Sequence, residues 1–251
     1  MSDDTPKWTE IEHLPAWDEE YYHVYTAKKF GKWVMLKTLK PELADNADAR
    51  AMIEKEFDVR YNLAHPNIVM INDYEEVPGL GRCIITDDVY GDSLRKLIDE
   101  HKLTAEHIEK LRTSLPSALR YIQNNHIVHH PIRPERIIFT ENIGNLKLID
   151  VGFEQTPALT PQDTAEDIFN YGTIVLEALD SCGHHDPVLR HVAERCTSSD
   201  SRRRYKDIDS PQLALDNRKS NRLYITIIIF LTIMVAILAW LSSPYAPNPP
   251  M

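Results

Sequence analysis

Over the first ninety residues, hydrophobic positions recur mostly with the short period of strands. Trp8–Leu14 and Tyr21–Phe30 carry aromatic and β-branched residues and predict two strands. Gly31-Lys32 reads as a turn, and Trp33–Leu39 as a third, largely apolar strand. From Asp48 to Leu63 the period becomes helical. Ile53, Phe57 and Tyr61 form one row and Met52, Val59 and Leu63 a neighbouring one. Ile68–Glu75 and Arg82–Val89 predict two further strands about a Pro78-Gly79 turn. Beyond Gly91 the pattern is mostly helical: Ser93–Glu100, Thr104–Asn124, then Thr164–Leu179 and Pro187–Cys196. Thr104 opens a capping box with His107 where Glu is usual, so a weak cap is expected. Five strands with one helix, then a helical lobe, predict an α+β fold in two lobes divided near Tyr90. There is no internal repeat.

The far end of the chain differs in kind. Leu223 to Leu241, LYITIIIFLTIMVAILAWL, is nineteen residues without a charge. As a helix it would reach roughly 28 Å, close to the hydrocarbon thickness of a bilayer. Tyr224 and Trp240 stand near its ends, where interfacial aromatics belong, and Arg218, Lys219 and Arg222 flank its N-terminal side. The expectation is one transmembrane helix at 223–241, a basic linker at 216–222, and residues 1–222 on the cytoplasmic side, with the lipid bilayer as partner. The tail 242–251 carries no charged side chain and holds four of the sixteen prolines, so it is expected to be extended. The opening MSDDTPKWTE is acidic and has no apolar core, so no signal peptide is expected.

Net charge narrows the partners. At −10 over 251 residues, the chain is not expected to bind nucleic acid. Its three cysteines, Cys83, Cys182 and Cys196, have no paired spacing, which argues against a disulfide framework. Cys182 lies close to His184 and His185, with Cys196 further on. Structural zinc usually shows a tighter ligand pair on each side, so a solvated turn is the stronger reading.

The most informative stretch is Ile127–Phe153, IVHHPIRPERIIFTENIGNLKLIDVGF. It resembles the catalytic loop and metal-binding turn of the protein kinase family. There a His-Arg-Asp triplet is followed by Lys-Pro-Glu-Asn, two short strands and Asp-Phe-Gly. The triplet here reads His129, His130, Pro131; the next segment reads Arg133, Pro134, Glu135, Arg136; the turn reads Asp150, Val151, Gly152. Other matches stand in order. In WVMLKTLK, Lys37 takes the position of the lysine that pairs the nucleotide's phosphates, and Glu56, nine residues before HPNIV, takes that of its helix partner. Thr86 matches the residue behind the nucleotide pocket, and Asp87–Val89 the hinge that meets adenine. Asp167 matches an Asp that braces the catalytic loop, and Arg204 a late structural Arg. The resemblance covers about residues 8–215, with an N-lobe at 8–90 and a C-lobe at 91–215.

The departures have chemical consequences. Pro131 stands where the resemblance places the base, and it offers no side-chain acceptor. Losing a general base costs on the order of 10²–10⁴ in rate. Arg136 stands where an Asn would hold Mg²⁺; its guanidinium is expected to oppose a metal, to pair with Asp150, or to touch a phosphate directly. Asp150 is left as one weak metal ligand. No glycine precedes Gly31, so the glycine-rich loop is replaced by PAWDEEYYHVY, whose Asp18, Glu19 and Glu20 bring negative charge. Only 17 residues separate Asp150 from Asp167, and an Ala-Pro-Glu element is absent. The resemblance therefore implies a membrane-anchored pseudokinase acting as a protein-interaction or signalling module, its protein partner unnamed. ATP is the one cofactor it implies, bound weakly and without dependence on Mg²⁺. The competing expectations are an active, atypical Ser/Thr kinase with Glu135 or His130 as substitute base, and a domain that binds nucleotide without turnover.

Overall fold

The computed structural model describes residues 6–129, 131–141, 144–149 and 154–241, apart from the side chains of 154, 217–224, 240 and 241. His130, the turn Asp150-Val151-Gly152 and the tail 242–251 lie outside the described residues. Among the described residues the fold is α+β in two lobes. β1 (Trp8–His13), β2 (Tyr22–Lys29), β3 (Lys32–Leu39), β4 (Ile71–Val77) and β5 (Gly81–Asp87) form one antiparallel sheet in the order β1-β2-β3-β5-β4. Helix α1 (Ala47–Tyr61) crosses between β3 and β4, capped by the Asn46 side chain, which accepts from the Ala49 N–H at 3.0 Å. One face of this sheet buries Ala27, Val34, Leu36, Val77, Cys83 and Ile85, and Ile53 of α1 packs with Tyr22, Ile71 and Ile84.

Two expectations for this lobe change. Met52 and Tyr61 are exposed, and the buried face of α1 is Ala49, Ile53, Glu56 and Arg60. The helix turns two charged side chains inward because each has a partner there, which an apolar-row reading does not see. β4 starts at Ile71, three residues later than expected. Residues 67–69 instead bind the second lobe: Leu148 N–H donates to Asn67 O at 2.8 Å, and Val69 N–H to Leu148 O at 2.9 Å.

The second lobe begins with β6 (Gly91–Ser93), α2 (Leu94–Asp99) and α3 (Ala105–Asn124). The cap of α3, expected to be weak, is a complete reciprocal box. Thr104 N–H donates to His107 Nδ1 at 3.1 Å, and His107 N–H to Thr104 Oγ1 at 3.4 Å. The imidazole nitrogen reaches back as a carboxylate would. β7 (Ile127–Val128), β8 (Ile137–Thr140), β9 (Leu146–Leu148) and β10 (Glu154–Gln155) follow, with β8 between β6 and β9. α4 (Pro161–Ser181) and α5 (Pro187–Cys196) complete the lobe. Leu111, Leu115, Leu119 and Ile122 of α3 pack with Ile168, Tyr171 and Val175 of α4 and Leu189 and Val192 of α5 in the largest core of the molecule. α4 and α5 approach so closely that a Cβ on Gly172 would meet Cys196 Cβ at 2.5 Å. Cys196 is thereby a core residue, and no described cluster joins it to Cys182, His184 or His185.

α6 (Asp209–Leu241) is a single helix of 33 residues, so 216–222, expected as a linker, are helical. Leu215 is buried against the C-lobe core, whereas every described side chain from Ile225 to Ala239 is exposed. Among the described residues, no helix is long and apolar enough to cross a membrane.

Candidate functional site

The cleft between the lobes is built from five charged side chains in series. β3 presents Lys37, α1 presents Glu56 and Arg60, the β1–β2 loop presents Glu19, and the short 3₁₀ turn before β8 presents Arg136. Arg60 Nη1 meets Glu56 Oε1 at 2.5 Å, and Lys37 Nζ meets the same oxygen at 3.1 Å. Lys37 Nζ also meets Glu19 Oε2 at 3.0 Å, and Arg136 Nη1 meets Glu19 Oε1 at 3.2 Å. Positive and negative groups alternate, so each charge in this half-dry cleft has an opposite neighbour. The structure thus brings Lys37 and Glu56 together, and adds Arg60 and Glu19 to them.

Glu19 is where it is because its loop is closely tied. Leu14 N–H donates to Val24 O at 2.8 Å, Trp17 N–H to Leu14 O at 2.9 Å, and Glu19 N–H to Tyr22 O at 3.0 Å. Asp18 accepts the Val24 N–H at 3.0 Å. Burial pushes the Asp18 carboxyl up, but this N–H together with His23 and His13 brings it below the ordinary value. Of the three acidic residues expected to crowd a phosphate, Glu19 enters the cleft, Asp18 turns to the two histidines, and Glu20 is exposed.

Trp17, one residue earlier, fills the apolar end. It packs with Ile149 against Val69, Val89 and Ile138. Thr86 and Val89, expected behind the pocket and at the hinge, do line this cavity, with Val24, Met35 and Ile84. Asp87 turns elsewhere, to Lys32 at 3.2 Å and Asn72 at 2.9 Å. The remaining cavity is about 60 Å³. Pockets for drug-sized ligands are about 300–1,000 Å³. With an indole at the apolar end and the Glu19 carboxylate on Lys37, this arrangement leaves no room for a nucleotide of ATP's size.

The catalytic-loop positions divide. His129 Nε2 lies 2.9 Å from Asp167 Oδ1, and Gln123 Nε2 donates to Asp167 Oδ2 at 2.6 Å, so the brace is in place. Glu135 accepts from Arg95 Nε at 2.9 Å, and Arg95 also meets Glu177 at 2.5 Å. Burial raises the Glu135 carboxyl, and Arg95, with a backbone hydrogen bond and the charge of Arg133, more than offsets this, bringing it below the ordinary value. A base is better served by a raised value. Arg204 donates from Nε to Ser198 O at 2.6 Å and lies over the Phe169 ring. Sequence reasoning missed Trp17, Arg60 and the His13–Asp18–His23 grouping. The replacement of a glycine-rich loop by one holding Trp was the available signal for the first.

The protein kinase domain family matches residues 20–163. Serine/threonine-protein kinase PknD of Mycobacterium tuberculosis (strain ATCC 25618 / H37Rv) is 31% identical over 156 residues, 61% of this chain and 23% of that protein. Serine/threonine-protein kinase 36 of Mus musculus is 28% identical over 127 residues, 50% of this chain and 9% of that protein. The chain thus spans under a quarter of the length of these relatives. The crystal structure of the Mycobacterium tuberculosis PknI kinase domain aligns with a TM-score of 0.62 at 19% identity, covering 84% of this chain and 96% of that one. Family match and fold agree with the two-lobed architecture, and the chain belongs to the protein kinase domain family.

Proposed function

We propose that the domain is a pseudokinase: a kinase fold that transfers no phosphate and serves as a protein-interaction or signalling module. The observation that carries this reading is the β1–β2 loop in the cleft, with Glu19 between Lys37 and Arg136 and Trp17 against Val89. Pro131 adds to it, because the position of the base has no acceptor. A membrane anchor at 223–241 is part of the same reading. Its support is the uncharged run and the exposure of the described apolar side chains from Ile225 to Leu238, which leaves a bilayer as the medium that would cover them on all sides. The basic residues 218, 219 and 222 favour a cytoplasmic domain.

Radiolabelled ATP and the purified full chain test the first part. No label should pass to the chain itself or to generic protein substrates. Turnover that vanishes in Lys37→Met would overturn it. For the anchor, full-length protein should stay with membranes through a high-salt wash, and truncation at Asp216 should release it.

The intact Lys37–Glu56 contact favours a second reading, a domain that binds nucleotide once the loop withdraws. Calorimetry with ATP, with and without EDTA, separates the two. Tight binding abolished by EDTA would show that Arg136 does not stand against the metal.

A further inference from the structure

The loop that fills the cleft is held by a group of side chains that the kinase reading does not use. His13 ends β1, His23 lies near the start of β2, and Asp18 sits between them in the loop. His13 Nε2 lies 3.0 Å from both Asp18 oxygens, and His23 Nδ1 lies 2.8 Å from Oδ2. The two imidazoles meet edge to face, with centroids 4.7 Å apart. One nitrogen from each ring and a carboxylate oxygen all lie within 4.8 Å of one another. No other group of three such side chains does so among the described residues.

We propose that His13, Asp18 and His23 form a site for a divalent transition metal ion, zinc in the first instance, and that the ion fastens the loop over the cleft. Two imidazoles and a carboxylate suit zinc, with bonds of about 2.0–2.2 Å. Tetrahedral ligands at that length stand roughly 3.4 Å apart, so each ring nitrogen has to draw back from the carboxylate by about half an ångström, while the two nitrogens, within 4.8 Å of each other, close by little more than an ångström. As they stand, each imidazole can point an N–H at the carboxylate. Tautomeric exchange moves that proton to the far ring nitrogen and frees the near one as a ligand, with no net change in protons. The Val24 N–H on Asp18 Oδ1 supplies the supporting contact that orients a metal-binding carboxylate. The partial exposure of His13 leaves a fourth position to water.

The consequence follows from chain order. Asp18 is flanked by Trp17 and Glu19, the two residues inside the cleft. An ion joining Asp18 to a residue on each adjoining strand ties both ends of the loop to its middle. The site stands on its own residues and does not require that the domain be catalytically silent.

The test uses the full chain in detergent, without a polyhistidine tag, stripped with EDTA and titrated with zinc against a chromophoric chelator. One ion per chain is expected. His13→Ala and His23→Ala should each weaken it by more than the roughly 10–100-fold that losing a supporting contact costs, while a His184→Ala/His185→Ala double variant leaves it unchanged. Amide hydrogen exchange across residues 14–24 should slow with zinc in the unaltered chain. It should not respond in His13→Gln, which keeps a side-chain donor toward Asp18 and so guards against a folding defect. The proposal is overturned if no zinc is retained, or if retention survives both single variants. Zinc that binds without slowing exchange in the loop would overturn the fastening.

Discussion

At the floor of the cleft, Asp167 meets His129 and Gln123 from the second turn of α4, a helix whose inner face is continuous with the core of the C-lobe. At the mouth, Glu19 meets Lys37 and Arg136 from a loop of half-buried and exposed residues. Both are carboxylates with two partners each. At the floor, a change at Asp167 would leave polar groups stranded in packed surroundings. At the mouth, Trp17 and Glu19 belong to a loop whose packing lies outside that core. The floor contact is thus tied to the packing of the C-lobe, and the mouth contact to what can enter the cleft.

If that contrast is right, substitutions in the C-lobe should act on folding and those at the mouth on ligand access. The largest effect should come from Leu115→Ala on α3, fully buried in the C-lobe core. It should cost about 2–5 kcal/mol, read by chemical denaturation, and leave little native protein in a marginal domain. Asp167→Ala should cost about 2 kcal/mol, because it removes a buried carboxylate that accepts from Gln123 and faces His129. An Asp167→Ala loss no greater than that of an exposed substitution would remove the distinction between floor and mouth.

Glu19→Gln tests the other side. It should cost only about 1 kcal/mol, since the pairs it weakens are partly solvated, while exposing Lys37 and Arg136 to an added anion. Pyrophosphate binding by calorimetry should strengthen at least tenfold over the unaltered chain. ATP should gain less until Trp17→Gly also empties the adenine end. Unchanged pyrophosphate affinity in Glu19→Gln would mean that Glu19 does not compete for those cations.

The two-lobed plan was legible because strand and helix periods change at the right places, and because motif order survives even where motif letters do not. Lys37, Glu56 and Asp167 were placed by that order. Glu19 was legible only as charge in the wrong loop, since which of three consecutive acids turns inward depends on how the loop closes. Trp17 and Arg60 were not legible. An exposed-looking Trp in a proline-containing loop and an Arg at the end of a helix carry no pattern of their own, and each is buried by partners distant in sequence. The His13–Asp18–His23 group has even spacing, but only the pairing of His13 with Tyr25 across β1 and β2 brings the histidines together.

The smallest expected effect concerns pH, and it again separates the regions. His65, which accepts from the Asn67 N–H and approaches Ser117 at 3.2 Å, and His107, in the cap of α3, both have lowered pKa values. Burial is the main cause in each, followed by Lys147 for His65 and Lys110 for His107. A histidine lowered on folding is held neutral, so the unfolded chain takes up its proton first as the solution is acidified. The stability it contributes is complete above the unfolded value of about 6.5 and is lost as pH falls from there through the folded value. Asp18 is lowered too, but for a carboxylate the loss begins only below about 4. Thermal melts between pH 7.5 and 5 should therefore decline through the two C-lobe-facing histidines and not through Asp18. A His65→Asn/His107→Asn double variant should flatten that decline, whereas Asp18→Asn should leave its slope unaltered. A slope that Asp18→Asn abolishes and the double variant leaves intact would place the acid sensitivity at the mouth and reverse the assignment.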